Sequence, residues 1–288
     1  MEIGQAPRGG LEGMAALVTG GGSGIGLGCA VRLAADGAHV TICGRGQERL
    51  EKGVAAIRAA AAQGVTVQWI AADVTNEEQV AAAVARAASV TGKLDGVIAS
   101  AGGADWLGPV TQLPLEAWRR VLAVNVDGTF LTLKHAAQIM VKNGGGSFVG
   151  ISSIAGARPH RWFGAYGVAK SGIEALCQMA ADELGASGVR VNAVRPGLVA
   201  TDLTVAMTTI PSIREDYLSQ MPLGRVGRVE DIAALCRFLI GPESSWITGQ
   251  VIGSDGGHAL RRGPDFSSIL EGSYGKDGLR GVVGDGVK

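Results

Sequence analysis

The chain has 288 residues, 47% of them hydrophobic, with 46 glycines, which suits a large buried core and many tight turns. Its 26 basic and 26 acidic residues cancel, so nothing recommends nucleic acid or an anionic membrane as a partner. No apolar run approaches the roughly 20 residues of a membrane span, and the opening MEIGQAPRGGLEG lacks a signal-peptide layout.

In chain order, strands are predicted near 15–18, 39–43, 65–71, 96–99, 147–151, 190–194 and 251–253. Each is short and nearly continuously apolar, as strands covered on both faces are. Helical patterns lie between them at 24–36, 47–63, 76–91, 115–143, 165–186 and 230–239. Thr75, ahead of Glu77 and Glu78, offers a cap for the third; Arg228 with Glu230 frames the start of the last. Such alternation builds βαβ units and a parallel sheet. The rhythm breaks at 201–222, rich in Thr, Met and Ile, which reads as a mobile lid or else as a solvent-side helical insertion. Beyond His258 glycines multiply and periodicity fades. Residues 1–260 are therefore taken as one domain, and 261–288 as an extension, partly flexible or packed on the body or a neighbouring subunit. Cys29, Cys43, Cys177 and Cys236 are scattered, and His39, His135, His160 and His258 lack metal-ligand spacing. A cytoplasmic protein without a metal is expected.

The first strand runs into Gly20-Gly-Gly-Ser-Gly-Ile-Gly26 and then a helix. Glycines allow positive φ and let backbone N–H groups approach an anion. The helix N-terminus adds roughly half a positive charge. Alone such a turn is weak evidence; between a first strand and a first helix it points to a dinucleotide pyrophosphate. The second strand ends in Gly44-Arg45, where an NAD-selective site usually places Asp or Glu on the ribose hydroxyls. A guanidinium can instead pair with a 2′-phosphate or stack on adenine. NADP(H) is thus favoured over NAD(H), with NAD(H) and a merely solvated arginine as the open alternatives.

Tyr166 and Lys170 stand four residues apart, with Ser153 thirteen residues before Tyr166. On a helix that spacing shares a face. An ammonium there can draw a phenol down from about 10 toward neutrality, and a nearby hydroxyl can hold a carbonyl oxygen while a proton moves. Taken alone, the pair also fits an ordinary amphipathic helix.

Together these residues resemble the short-chain dehydrogenase/reductase family, in its compact single-domain branch, over about residues 15–257. Thr19-Gly20-x-x-x-Gly24-x-Gly26, enclosing Gly22, Ser23 and Ile25, looks like the family's cofactor turn. Asp73-Val74 matches the pair that holds adenine, and Asn125 the Asn that supports a water-linked proton path behind the Lys. Ser153, Tyr166 and Lys170 match the catalytic trio, and Pro196-Gly197 with Val199 and Thr201 the segment against the nicotinamide carboxamide. The resemblance implies an α/β fold, a single-domain Rossmann-like doubly wound parallel sheet of about seven strands with helices on both faces. It also implies reversible hydride transfer between nicotinamide and a carbonyl or secondary alcohol. Tyr166 is then the general acid/base, Lys170 the group that lowers its pKa and holds the nicotinamide ribose, and Ser153 the anchor of the substrate oxygen. Two departures stand out. The family's N-N-A-G is Ala99-Ser100-Ala101-Gly102 here, which keeps Ala101 and Gly102 beside the cofactor but puts the local rigidity given by the first Asn in question. Ser23 occupies a position that is often basic in NADP-preferring relatives. A non-catalytic NADP(H)-binding redox sensor is the rival from another class, although such a protein would be expected to have lost Tyr or Lys. An epimerase or dehydratase of the longer branch lacks support in the glycine spacing.

The expected partner is a small carbonyl or alcohol substrate in an apolar pocket formed by Trp106, Leu107, Ile154, Trp162, Phe163, Leu198, Leu203, Met207 and Met221. Arg158, His160 and Arg161 form a basic patch, read as a solvated rim or subunit contact, or else as a seat for an anionic tail. The run 246–254 resembles the family's last strand, which often lies between subunits, so a homotetramer or homodimer is expected.

Overall fold

The computed structural model describes residues 10–261, 263 and 265–283. The first nine residues, within the opening MEIGQAPRGGLEG, lie outside them, as do Arg262, Pro264 and the last five residues of the extension. Seven strands form one parallel sheet: β1 (Ala15–Thr19), β2 (His39–Gly44), β3 (Val67–Ala71), β4 (Gly96–Ala99), β5 (Gly146–Ile151), β6 (Val189–Pro196) and β7 (Val251–Ser254). Their order is β3-β2-β1-β4-β5-β6-β7. The chain therefore steps outward from β1 in one direction and then, after β3, crosses back to β4 on its other side. Ala16 accordingly pairs with Val40 on one flank and Gly96 on the other. At such a switch point the connecting loops part and leave a crevice at the carboxyl ends of the strands.

Strand side chains alternate between two cores. Ala16 and Val18 face one layer with Leu33, Ile57, Ile232 and Leu239. Leu17 faces the other with Val84, Leu133, Phe148 and Ile173. The first layer comes from α1 (Gly24–Ala35), α2 (Gln47–Ala60) and α9 (Val229–Ile240). The second comes from α3 (Glu77–Ala88), α5 (Gly128–Lys142) and α6 (Tyr166–Leu184). Burying both faces of the sheet is why its strands read as continuous apolar runs.

Three local expectations change. The helix predicted at 115–143 divides into α4 (Leu115–Leu122) and α5, joined by a π-helical turn at Ala123–Asp127 that contains Asn125. The cap of α3 is Asn76, whose side chain accepts the Gln79 N–H at 3.0 Å; Thr75 instead donates its hydroxyl to Asp73. At α9 the Asp231 carboxylate, one turn in, accepts both the Arg228 backbone N–H and the Arg225 guanidinium.

The segment 201–222 folds as two short helices, α7 (Val205–Thr209) and α8 (Pro211–Gln220). Part of the extension forms α10 (Ser267–Leu279), which kinks at Gly275. Phe266 and Leu270 join Phe163, Leu198, Ile213, Tyr217 and Met221 in a separate apolar cluster, and the Tyr274 hydroxyl donates to the Leu107 carbonyl at 3.1 Å. The described part of the extension is thus packed on the body. Among the described residues no helix is long and apolar enough to cross a membrane.

Candidate active site

A cleft of about 1170 Å³ opens at the switch point, and segments from across the chain line it. One end is backbone. Gly20 (φ 65°) and Gly24 (φ 53°) take left-handed conformations that favour glycine, and a Cβ on Gly26 would lie 2.4 Å from the Gly20 carbonyl oxygen. The Ser23 side chain makes no capping bond to α1, and no acid stands in the helix's first turn. Its positive end therefore faces the cleft uncompensated. That is what a diphosphate requires, and the cradle fits a dinucleotide.

Arg45 and Asp73 line the same end with Val74. The Asp73 carboxyl is held below its ordinary range by the Thr75 N–H, with its hydroxyl and then Arg45 adding to the effect against some burial. Arg49 also lines this wall; the sequence reading missed it, although it sits one helical turn beyond Arg45.

Thr19 and Asn125 do not line the cleft; they stand behind it. The Thr19 hydroxyl accepts the backbone N–H groups of Ser100 and Ala101, each at 3.1 Å. Fully buried Asn125 donates to the Gly103 and Val121 carbonyls, each at 2.8 Å, and accepts the Gly103 N–H at 3.2 Å. Its own carbonyl takes the Thr129 hydroxyl at 2.6 Å. The loop after β4 is thereby tied down through backbone groups, without use of the Ser100 side chain. A Cβ on Gly102 would lie 2.5 Å from Asn125 Oδ1 and 3.1 Å from Lys170 Nζ. Only glycine lets the loop lie so close.

In the middle, Ser153, Tyr166 and Lys170 line the wall, opposite Pro196, Gly197, Val199 and Thr201. The N-terminus of α6 presents Tyr166, and the turn after β5 presents Ser153. Lys170 Nζ donates to the Ile151 carbonyl at 2.9 Å and lies 5.5 Å from the centre of the Tyr166 ring. Burial lowers the Lys170 ammonium from 10.5 to about 8. It also raises the Tyr166 phenol, and the Ser153 hydroxyl bonded to it pulls the other way. Burial is thus the largest influence on this phenol, and Ser153 is the group that opposes it. Beneath them the Ser152 hydroxyl bonds the Lys170 carbonyl and Glu174, whose carboxylate makes a two-pronged pair with Arg195 at 2.9 and 2.7 Å. This network joins α6 to the end of β6.

The far end is built from large side chains. Trp106, Leu107, Ile154, Phe163, Leu198, Leu203 and Met207 line it; Trp162 and Met221 do not. Two residues outside the expected apolar set also line it, His160 and Tyr217. Tyr217 carried no sequence signal, because only the packing of α8 brings it here. The basic patch does not stand free: Arg158 donates to the Ala259 carbonyl at 2.7 Å, Arg161 pairs with Asp265 at 3.4 Å and lies over the Trp162 ring, and His160 is mostly buried.

A family model described as enoyl-(acyl carrier protein) reductase matches residues 20–259. The chain is 38% identical over 243 residues to cis-4-hydroxycyclohexanecarboxylate dehydrogenase of Sinomonas cyclohexanicum, covering 84% of this chain and 95% of the relative. It is 35% identical over 252 residues to the L-tagatose-forming galactitol 2-dehydrogenase of Cereibacter sphaeroides, covering 87% and 96%. A solved short-chain type dehydrogenase/reductase from Mycobacterium ulcerans superposes with a TM-score of 0.93 at 52% identity, covering 94% of this chain and 99% of that one.

Proposed function

The chain belongs to the short-chain dehydrogenase/reductase family of NAD(P)-dependent oxidoreductases, and from that premise we propose that its cleft moves a hydride between nicotinamide and a carbonyl or secondary alcohol carbon, with NADP(H) preferred. The observation that carries the proposal is Ser153, Tyr166 and Lys170 on one wall of a cleft whose other end is a glycine cradle. The nicotinamide supplies the hydride chemistry when bound. Ser153 holds the substrate oxygen. Tyr166 gives that oxygen a proton on reduction and takes it back on oxidation. The raised phenol suits the acid role. Lys170 is cationic at neutral pH and holds the nicotinamide ribose while stabilising a tyrosinate. Asn125 holds the loop carrying Gly102 and sustains the proton path behind Lys170. Gly20, Gly22, Ser23, Gly24, Ile25 and Gly26 seat the pyrophosphate, Asp73 and Val74 the adenine, and Thr201 with Pro196, Gly197 and Val199 the carboxamide side. Arg45, seconded by Arg49, takes the 2′-phosphate; no acid stands at the end of β2 to favour NAD(H).

Exposed Phe130, Val168 and Met179 on α5 and α6, together with Trp246 before β7, support a homo-oligomer. Four buried free cysteines suit the cytoplasm. The test is nucleotide oxidation against ketones, aldehydes and diones, preceded by separate titrations with NADPH and NADH. Turnover with several-fold tighter NADPH binding is expected. Nucleotide binding without turnover on any carbonyl would favour the sensor reading instead.

A further inference from the structure

Residues beyond 259 lie outside the family match, yet α10 packs directly behind the substrate end of the cleft. Its sequence, SSILEGSYGKDGL, is a poor helix former: Gly272, Gly275 and Gly278 interrupt it, and Gly275 leaves the helical backbone. Contact with the body is what holds it. Phe266, Leu270 and Tyr274 recur every four residues and so share one face. All three join the apolar cluster that contains Phe163, Leu198 and Tyr217 of the cleft wall. The rings of Phe266 and Phe163 meet edge to face, 5.1 Å apart.

Polar bonds fasten the same segment to three stretches that line the cleft. The Tyr274 hydroxyl donates to the Leu107 carbonyl at 3.1 Å. Gly108 comes so near that a Cβ there would lie 2.5 Å from that hydroxyl. Gly108 in turn donates its N–H to the Trp162 carbonyl at 2.8 Å. Asp265 pairs with Arg161 at 3.4 Å, and its backbone N–H donates to the Asp216 carboxylate on α8 at 2.8 Å. Arg261 reaches the Ser219 carbonyl at the end of the same helix. Leu107 and Tyr217 therefore line one cleft from distant parts of the chain and share a single backing.

We infer that Tyr274 is a positioning residue for substrate size: through α10 it links the 106–108 loop to α8, so that the walls of the substrate end keep one spacing. The inference rests on the hydride-transfer reading of this cleft. A weakly helical segment held by few contacts opens at low local free energy, so loss of one fastening is felt along its length. With the hydroxyl of Tyr274 in place the walls hold together and favour a compact ketone. Without it the 106–108 loop and α8 part, and a bulkier ring enters.

The test compares cyclohexanone with 4-tert-butylcyclohexanone, two apolar ketones that differ in bulk, in wild type, Tyr274→Phe and Tyr274→Ala. The ratio of kcat/KM, bulky over compact, should rise about threefold or more in Tyr274→Phe, as loss of one neutral hydrogen bond allows. It should rise further in Tyr274→Ala; should that variant fail to fold, Tyr274→Phe alone decides. The change should fall on KM, with kcat for cyclohexanone and the nucleotide Kd within about twofold of wild type. Hydrogen exchange gives a readout that needs no turnover. In Tyr274→Phe the amides of 106–113 and 211–221 should exchange faster together, while those of α1 keep their wild-type rates. That pattern upholds the link even if neither ketone is reduced and the hydride reading fails. A size ratio that does not rise overturns the proposal. So does exchange in 211–221 left at the wild-type rate, or faster exchange that reaches α1 as well.

Discussion

The two ends of the cleft are made of different material. The β1–β3 end is shaped by main chain: glycines without Cβ atoms, an open helix terminus, and a loop held by Thr19 and Asn125 through backbone groups. The β5–β7 end is shaped by side chains brought from 106–107, 160–163, 198–221 and 266–274. The first end must receive an invariant diphosphate, so its geometry is fixed and allows few residue types. The second must fit one substrate among many, so its residues can vary while the scaffold stays. Lys170 and Tyr166 sit where the two meet.

The largest expected effect falls at that meeting point. Tyr166→Phe should lower turnover by about 10²–10⁴-fold while nucleotide titration stays nearly unchanged, which would separate the chemistry from the cradle. Equal losses in both would merge the two ends into one folding unit.

Phe266→Ala tests the side-chain end. Phe266 is 1% exposed within the cluster beneath α8, and its truncation should cost about 3–5 kcal/mol of unfolding free energy. The substrate KM should rise more than the nucleotide Kd. The reverse order in steady-state and binding measurements would place α10 with the cofactor end instead.

Lys170 gives a smaller, pH-dependent effect. Its folded value, about 8, lies below the ordinary 10.5. Below pH 8 both states carry the charge, and the folded state bears it buried. Between pH 8 and 10.5 the unfolded chain binds a proton that the folded chain does not, so stability rises with pH across that window. Relative to Lys170→Met, the native chain should gain at most about 3 kcal/mol between those limits, read from denaturant unfolding at several pH values. A difference independent of pH would show that the ammonium is solvated.

The same contrast decides what the sequence could reveal. All seven strands are legible, because burial on both faces leaves short apolar runs, and the glycine turn is legible because few other residues can make it. Asn125 could be singled out only by resemblance, and nothing in 115–143 announced a π-helical turn around it. Thr75 and Asn76 both suit a cap, so the sequence does not choose between them and the structure uses Asn76. Tyr217 and Phe266 were invisible for a different reason: an isolated aromatic has no period, and their neighbours lie far away in sequence. The partners of Arg158 and Arg161, Ala259 and Asp265, are not legible beside them because they come from about a hundred residues downstream.

The most direct test of the account follows the hydride itself. Wild-type protein is given a ketone that it reduces and nicotinamide nucleotide carrying deuterium at C4, and the alcohol formed is analysed for label. Deuterium on the carbinol carbon, from one face of the nicotinamide only, is the predicted result. An unlabelled carbinol carbon, or a ketone returned unchanged across the whole carbonyl panel, would contradict it.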